Sequence, residues 1–316
     1  MITAFIEKNR LMKHLIILLF IALPLIGFSQ NDIPYTHFVF NKMAYNPAYT
    51  GNKKSLDLMA LYRNQWSGID GAPTTGTFSL QIPFFSNRNA IGLAATSDKI
   101  GQINTTALDL SYAYHIKTSD KVTLSLGLNG RIEQASIDWE SGVRINIDDE
   151  AIPMGTETVT TPNFGFGAYL SSERYYIGVS APRLLKNSLY LDRNNTFVSN
   201  REITTWYMMG GVLLPISRQI DFAPSFLVSY NQNAPTDLDI NANFIFLQSL
   251  WVGLSYRWED SIDALIGYEF KNGLRIGMGY DFTVSELNKV TNGSYEVMLG
   301  YTFRCKDCHI PHLRYF

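Results

Sequence analysis

From Ser294 to Arg304, hydrophobic and polar positions change places at every residue. Tyr295, Val297, Leu299, Tyr301 and Phe303 share one face of an extended chain, and Glu296, Met298, Gly300 and Thr302 share the other. A period of two belongs to a strand, whose successive side chains point to opposite sides, and not to a helix with its 3.6. The same pattern returns in Lys121 to Glu133, where Val122, Leu124, Leu126 and Leu128 alternate with Thr123, Ser125, Gly127 and Asn129. Asp237 to Phe246 sets Leu238, Ile240, Ala242, Phe244 and Phe246 against Asp237, Asp239, Asn241 and Asn243. Thr106 to Ile116 sets Leu108, Leu110, Tyr112, Tyr114 and Ile116 against Asp109, Ser111, Ala113 and His115. An apolar face opposite a polar, small-residue face suits a strand with hydrocarbon on one side and a wet interior on the other. A soluble sandwich also alternates, so the connections have to decide.

Strands are expected at 55–63, 74–82, 90–98, 104–116, 121–134, 164–171, 174–181, 203–214, 219–230, 236–247, 250–257, 262–270, 273–282 and 294–304, fourteen in all. Six connections are short, from Phe84–Asn89 through Gln248–Ser249 to Lys271–Asn272. Asn64–Pro73, Ala135–Asn163, Pro182–Glu202 and Thr283–Gly293 are long. Short turns on one side and longer loops on the other are the mark of an outer-membrane barrel. Asn272-Gly273 between two alternating runs is a strong hairpin signal. The expected fold is therefore an all-β, transmembrane antiparallel barrel of about fourteen strands, closed so that no unpaired edge meets lipid. Trp206 to Leu214 reads apolar on both faces, which predicts packing against a partner or a plug.

Composition agrees: 13% of residues are aromatic and only 17% charged, a balance that favours strands and interfacial girdles. Lys8, Arg10 and Lys13 precede the apolar run Leu15–Gly27, and Gly27 and Ser29 suit a cut before Gln30, so residues 1–29 read as a cleavable signal peptide. That run is too short for a helical anchor. Residues 30–54 are expected to be a periplasmic or lumen-entering segment, 55–304 the barrel, and 305–316 a periplasmic tail, in a protein exported to the outer membrane. No basic stripe points to nucleic acid.

Few residues suggest chemistry. Cys305-Lys306-Asp307-Cys308-His309 matches the pattern for covalent haem, and His312 extends it to a zinc-like set of Cys305, Cys308, His309 and His312. Only eight residues follow Cys308, too few to enclose a macrocycle, so no cofactor is expected and the tail reads as a disulfide or free thiols. Ser111, His115 and Asp109 are the nearest approach to a hydrolase set. Residues four apart on one strand stand too far apart to touch, and a non-enzymatic role is expected. Asp148-Asp149-Glu150 reads as a solvated loop face before it reads as a calcium site. Asp57, Arg131, Glu133, Asp263, Arg275, Asp281 and Glu296 point to a polar lumen without saying whether it is open.

Two stretches carry a resemblance: Phe40-Asn41-Lys42-Met43-Ala44-Tyr45-Asn46-Pro47-Ala48-Tyr49-Thr50-Gly51, and Ala60-Leu61-Tyr62-Arg63-Asn64-Gln65-Trp66-Ser67-Gly68-Ile69-Asp70-Gly71-Ala72-Pro73. Together with Ile91-Gly92-Leu93, Asp98-Lys99-Ile100-Gly101 and the Arg314-Tyr315-Phe316 ending, they make the chain similar to the PorP/SprF family. The resemblance implies an outer-membrane barrel of the type IX secretion and gliding apparatus of Bacteroidota. Such a barrel would support export or surface anchoring of a cargo adhesin that bears a C-terminal sorting domain, or tie the apparatus to a periplasmic lipoprotein. The Cys-x-x-Cys-His tail departs from the family pattern. Asn46, Pro47, Trp66, Asp70 and Pro73 are the expected contact residues, with a turn-forming role as the alternative. A passive porin or small-solute transporter is the rival function, and a lumen blocked by Asn31–Lys54 would count against it.

Overall fold

The alternating runs become strands that close on one another. The computed structural model describes residues 33–139, 155–186, 188–191, 198–201 and 204–303. The expected signal peptide (residues 1–29), the loop acids Asp148–Glu150 and the tail with Cys305, Cys308, His309 and His312 lie outside them. In chain order the strands are β1 (Asp57–Asn64), β2 (Thr74–Phe84), β3 (Asn89–Ile100), β4 (Ile103–Lys117), β5 (Val122–Asp138), β6 (Thr156–Ser172) and β7 (Tyr175–Ala181). Then come β8 (Ser188–Leu191), β9 (Val198–Arg201), β10 (Trp206–Val212), β11 (Leu214–Pro215), β12 (Ile220–Tyr230), β13 (Asp237–Phe246) and β14 (Leu250–Arg257). The last are β15 (Ser261–Glu269), β16 (Leu274–Thr283) and β17 (Ser294–Thr302).

Neighbours in sequence pair antiparallel, β7 pairs with β10 and β10 with β12. The ring closes where β1 meets β17, from Asp57↔Thr302 to Asn64↔Tyr295. Fourteen strands make this wall among the described residues. β8 and β9 form a separate hairpin, and β11 adds a short pairing to β12. A closed ring leaves the apolar set facing outward: Leu108, Leu128, Ile132, Leu254, Ile266 and Met278 are each more than half exposed. Side chains on the alternate positions turn inward, among them Glu296 and Met298 of β17, at 0% and 1% exposure.

The fourteen expected strands are all present, and β5 and β6 extend the furthest past their expected ends. β5 runs on to Asp138 and β6 begins at Thr156, so both ends of the expected 135–163 loop are ladder. Gln134, Ser136, Thr156, Thr158 and Thr160 give that extension no apolar outward face, so the outward hydrophobic series that marks the other strands stops before it. β10 is apolar on both faces for a physical reason. Trp206 and Met208 look outward, while Tyr207 and Met209 are buried against a segment inside the barrel.

That segment is residues 33–55. It contains a single helical turn, α1 (Lys42–Tyr45), followed by a 3-10 turn at Pro47–Tyr49. Tyr35 to Met43 and Tyr45 to Lys53 are buried without exception, polar residues included. At the long-loop end of the barrel Thr36 and His37 sit beside Glu296. At the short-turn end Lys53 and Asp57 sit near Thr302. Glu296 and Thr302 are six residues apart on β17, so the segment covers roughly 20 Å of the barrel's height.

Candidate functional site

The plugged lumen is the best-defined site among the described residues, and it is built from buried charges that pair with one another and with the plug's polar groups. Glu296 projects inward from β17. Its Oε1 accepts from the His37 backbone N–H and from His37 Nδ1, both at 2.7 Å, and its Oε2 accepts from the Thr36 N–H at 3.0 Å. Arg63 on β1 donates to Thr36 Oγ1 at 2.6 Å and to Asp281 Oδ2 at 2.7 Å. Thr36 Oγ1 in turn donates to Asp281 Oδ1 at 2.7 Å. A neighbouring set, Arg257 with Asp239 at 2.9 Å and Asp260 at 3.4 Å, reaches Asp281 at 4.0 Å. Buried charges persist only when paired and hydrogen-bonded, and here the plug supplies several of the donors that the wall requires.

A second latch lies at the opposite end. Lys53 donates to Asp57 Oδ2 at 2.8 Å, while Arg275 and Thr302 donate to Asp57 Oδ1 at 2.5 and 2.6 Å. Burial, and after it the charge of Arg275, pushes the Lys53 amine down to about 8 against the pull of Asp57. Burial holds the Lys42 amine well below the usual lysine range, with Lys53 adding to the effect. Lys42 Nζ lies 4.2 Å from the centre of the Tyr176 ring and 5.2 Å from that of Tyr49, so aromatic faces solvate it.

Between the latches the plug packs on aromatic rings and bare backbone. Phe40 lies 4.8 Å from Trp251, Tyr45 5.2 Å from Tyr207 and Tyr49 5.5 Å from Tyr169, centre to centre. Asn46 Oδ1 caps the 3-10 turn by accepting from the Ala48 N–H at 2.9 Å, and its Nδ2 donates to the carbonyls of Ala168 and Val179. A Cβ on Gly127 would stand 2.2 Å from the Ala48 nitrogen, and one on Gly167 would stand 2.1 Å from Asn46 Oδ1. Both wall positions need glycine for close approach.

Of the expected contact residues, Asn46 and Pro47 are therefore inside the lumen, where they shape the plug. Trp66, Asp70 and Pro73 are in the β1–β2 loop at the long-loop end; Asp70 is exposed, Trp66 half-buried and Pro73 buried. Trp66 adopts a left-handed φ of 50° and its N–H donates to Ser294 Oγ at 3.0 Å, which ties this loop to the start of β17. The hydrolase candidates do not come together. Ser111 donates to Asn129, His115 Nδ1 bonds Ser125 Oγ at 2.7 Å, and Asp109 pairs with Arg131 at 2.7 Å. Thr36, His37 and Lys53 are functional residues that sequence reading missed. Alternation cannot flag them, because the segment belongs to no strand.

Residues 27–301 match the family described as type IX secretion system membrane protein PorP/SprF. The chain belongs to this family. The PorP/SprF match covers the plug and the whole wall together, so the plug is part of what the family model describes. Among curated proteins, none matches the sequence. Solved structures similar in fold include a Pseudomonas aeruginosa FadL homologue, at 11% identity over 84% of this chain and 94% of that chain, with a TM-score of 0.49. The ΔS2S3 mutant of TodX, a monoaromatic hydrocarbon channel, aligns at 10% identity over 86% and 95%, with a TM-score of 0.46. The NanC porin aligns at 12% identity over 79% and 100%, with a TM-score of 0.40.

Proposed function

We propose that this barrel sits in the outer membrane of a member of the Bacteroidota as part of the type IX secretion and gliding apparatus. There it supports export or surface anchoring of a secreted adhesin by protein–protein binding. The observation that carries the reading is the filled lumen. A porin or small-solute transporter needs a water path, and residues 33–55 occupy it with two ionic latches and an aromatic column. With the interior taken, the surfaces left for function are the loops and the strand ends.

On this reading the partner is an adhesin with a C-terminal sorting domain, or a secretion subunit or periplasmic lipoprotein that the short-turn end meets. Asp70 and Trp66 in the β1–β2 loop are the contact candidates, and Asn46 and Pro47 act indirectly by seating the plug. A signal peptide removed before Gln30 delivers the chain to the periplasm. The test combines two measurements on the full-length protein from detergent-solubilised outer membranes. Affinity purification is expected to recover one large secreted adhesin or secretion subunits, and planar-bilayer recording is expected to be silent. A partnerless barrel that conducts ions overturns the proposal in favour of the porin.

A further inference from the structure

Above the apolar belt the described strands do not pair on every side. β5 and β6 pair along their whole length, from Val122↔Ser172 to Asp138↔Thr156. β7 meets β6 only from Phe166↔Ala181 to Ser171↔Tyr176. On the side away from β5, Thr156 to Thr161 therefore have no strand partner among the described residues. The hairpin β8–β9 lies beside β6, but its two strands pair only with each other.

Two hydrogen bonds show which way the main chain of this half-strand faces. The Gly155 carbonyl accepts from the Trp139 N–H at 3.1 Å, just beyond the end of β5, whereas the Phe164 carbonyl accepts from the Leu184 N–H at 2.8 Å on the opposite side. Neighbouring residues of a strand alternate in direction, so Thr156, Thr158 and Thr160 aim their N–H and C=O groups away from β5.

This edge stands clear of lipid. The outward face of β5 is apolar through Leu128 and Ile132, then changes to Gln134, Ser136 and Asp138. Edges that must not pair are guarded by lysines or bulges, and Thr158-Val159-Thr160-Thr161 carries neither. A row of outward amides and carbonyls is complementary to one kind of ligand, another extended main chain. Glu157 adds a preference of charge: its Oε2 is buried and has no hydrogen-bond partner.

We propose that Thr156–Thr161 is the docking edge for an extended β-strand of the exported partner, with a Lys or Arg of that strand set against Glu157. The proposal rests on the binding role put forward above and gives it a place. Thr158→Pro/Thr160→Pro removes two outward donors and spares the ladder to β5. Thr158→Ala/Thr160→Ala keeps the donors and serves as its control. Tagged wild type and the alanine variant are expected to recover the same secreted protein, and the proline variant roughly tenfold less, as loss of two hydrogen bonds implies. All three should migrate as folded, heat-modifiable barrels. In the purified, partner-free barrel the Thr158 and Thr160 amides are expected to exchange hydrogen rapidly.

Equal recovery with the proline variant overturns the docking edge and leaves the anchoring role standing. Recovery of no partner by wild type overturns both. Slow exchange in the partner-free barrel, or barrel-to-barrel cross-links at Thr158, shows that the chain itself or a second copy fills the edge, and overturns the proposal. If the proline variant fails to fold, Glu157→Lys decides: reduced recovery supports the edge, and unchanged recovery overturns it.

Discussion

The plug meets the two halves of its barrel by different means. Toward β16, β17 and β1 it is held by charge: Glu296, Asp281 and Arg63 surround Thr36 and His37, and Asp57 holds Lys53. Toward β5, β6 and β7 it is held by absence of side chain, with Ala48 and Asn46 set against Gly127 and Gly167. The charged half fixes where along its length the plug stops, since Thr36, His37 and Lys53 meet their acceptors only in this register. The glycine half fixes how close it comes. The first arrangement depends on pairing, the second on volume, and substitutions can separate them.

The largest effect is expected from volume. Gly127→Leu puts side-chain atoms where the Ala48 backbone now sits, a backbone clash that no rotamer relieves. Wild type should be silent in planar bilayers and the variant should conduct; a silent, folded Gly127→Leu barrel would show that the plug tolerates being moved. Next comes Glu296→Ala, which removes the acceptor of the Thr36 and His37 N–H groups and of His37 Nδ1 in a dry site, leaving Arg63 to Asp281 and Thr36; it should cost about 3–5 kcal/mol, read as a lowered thermal transition in detergent. Glu296→Gln keeps the acceptor and should lose less. A smaller loss, about 1–2 kcal/mol, is expected for Asn46→Ala from the missing cap.

The smallest effect concerns pH. Lys53 has its folded pKa depressed to about 8, below the unfolded value near 10.5, so its docked form sheds a proton first. The cost of burying the charge is fully present below pH 8 and is relieved as pH rises from 8 towards 10.5. Lys53→Met should flatten the rise in thermal stability over that window; an unchanged slope would mean that another group sets it.

The wall was legible in the sequence because lipid and lumen impose opposite demands on alternate residues, as Tyr295 to Phe303 show against Glu296 to Thr302. Where that contrast fades the reading fails. Thr156 to Thr161 lacks an apolar outward face and its sequence reads as loop, although its pairing to β5 is unbroken. The plug was harder. Asn46-Pro47 announced a turn, and the inward acids announced a polar interior. That His37 answers Glu296 is a contact between residues 259 positions apart, which no local pattern encodes. Asn46 and Pro47 drew attention as surface residues for the reason that makes them good turn formers, and the burial around them is a property of the closed ring.

The separation of these contacts also sets an order of events. The plug is made before any strand of the wall, yet Glu296, which fastens it, is delivered near the end of the chain, and the β1–β17 seam joins only then. Contacts of such long span are slow to form, because the intervening chain must be gathered before they reward it. The bonds of Thr36 and His37 to Glu296 can therefore form no earlier than the last strand, so the seating of the plug and the closing of the seam draw on the same final stretch of chain.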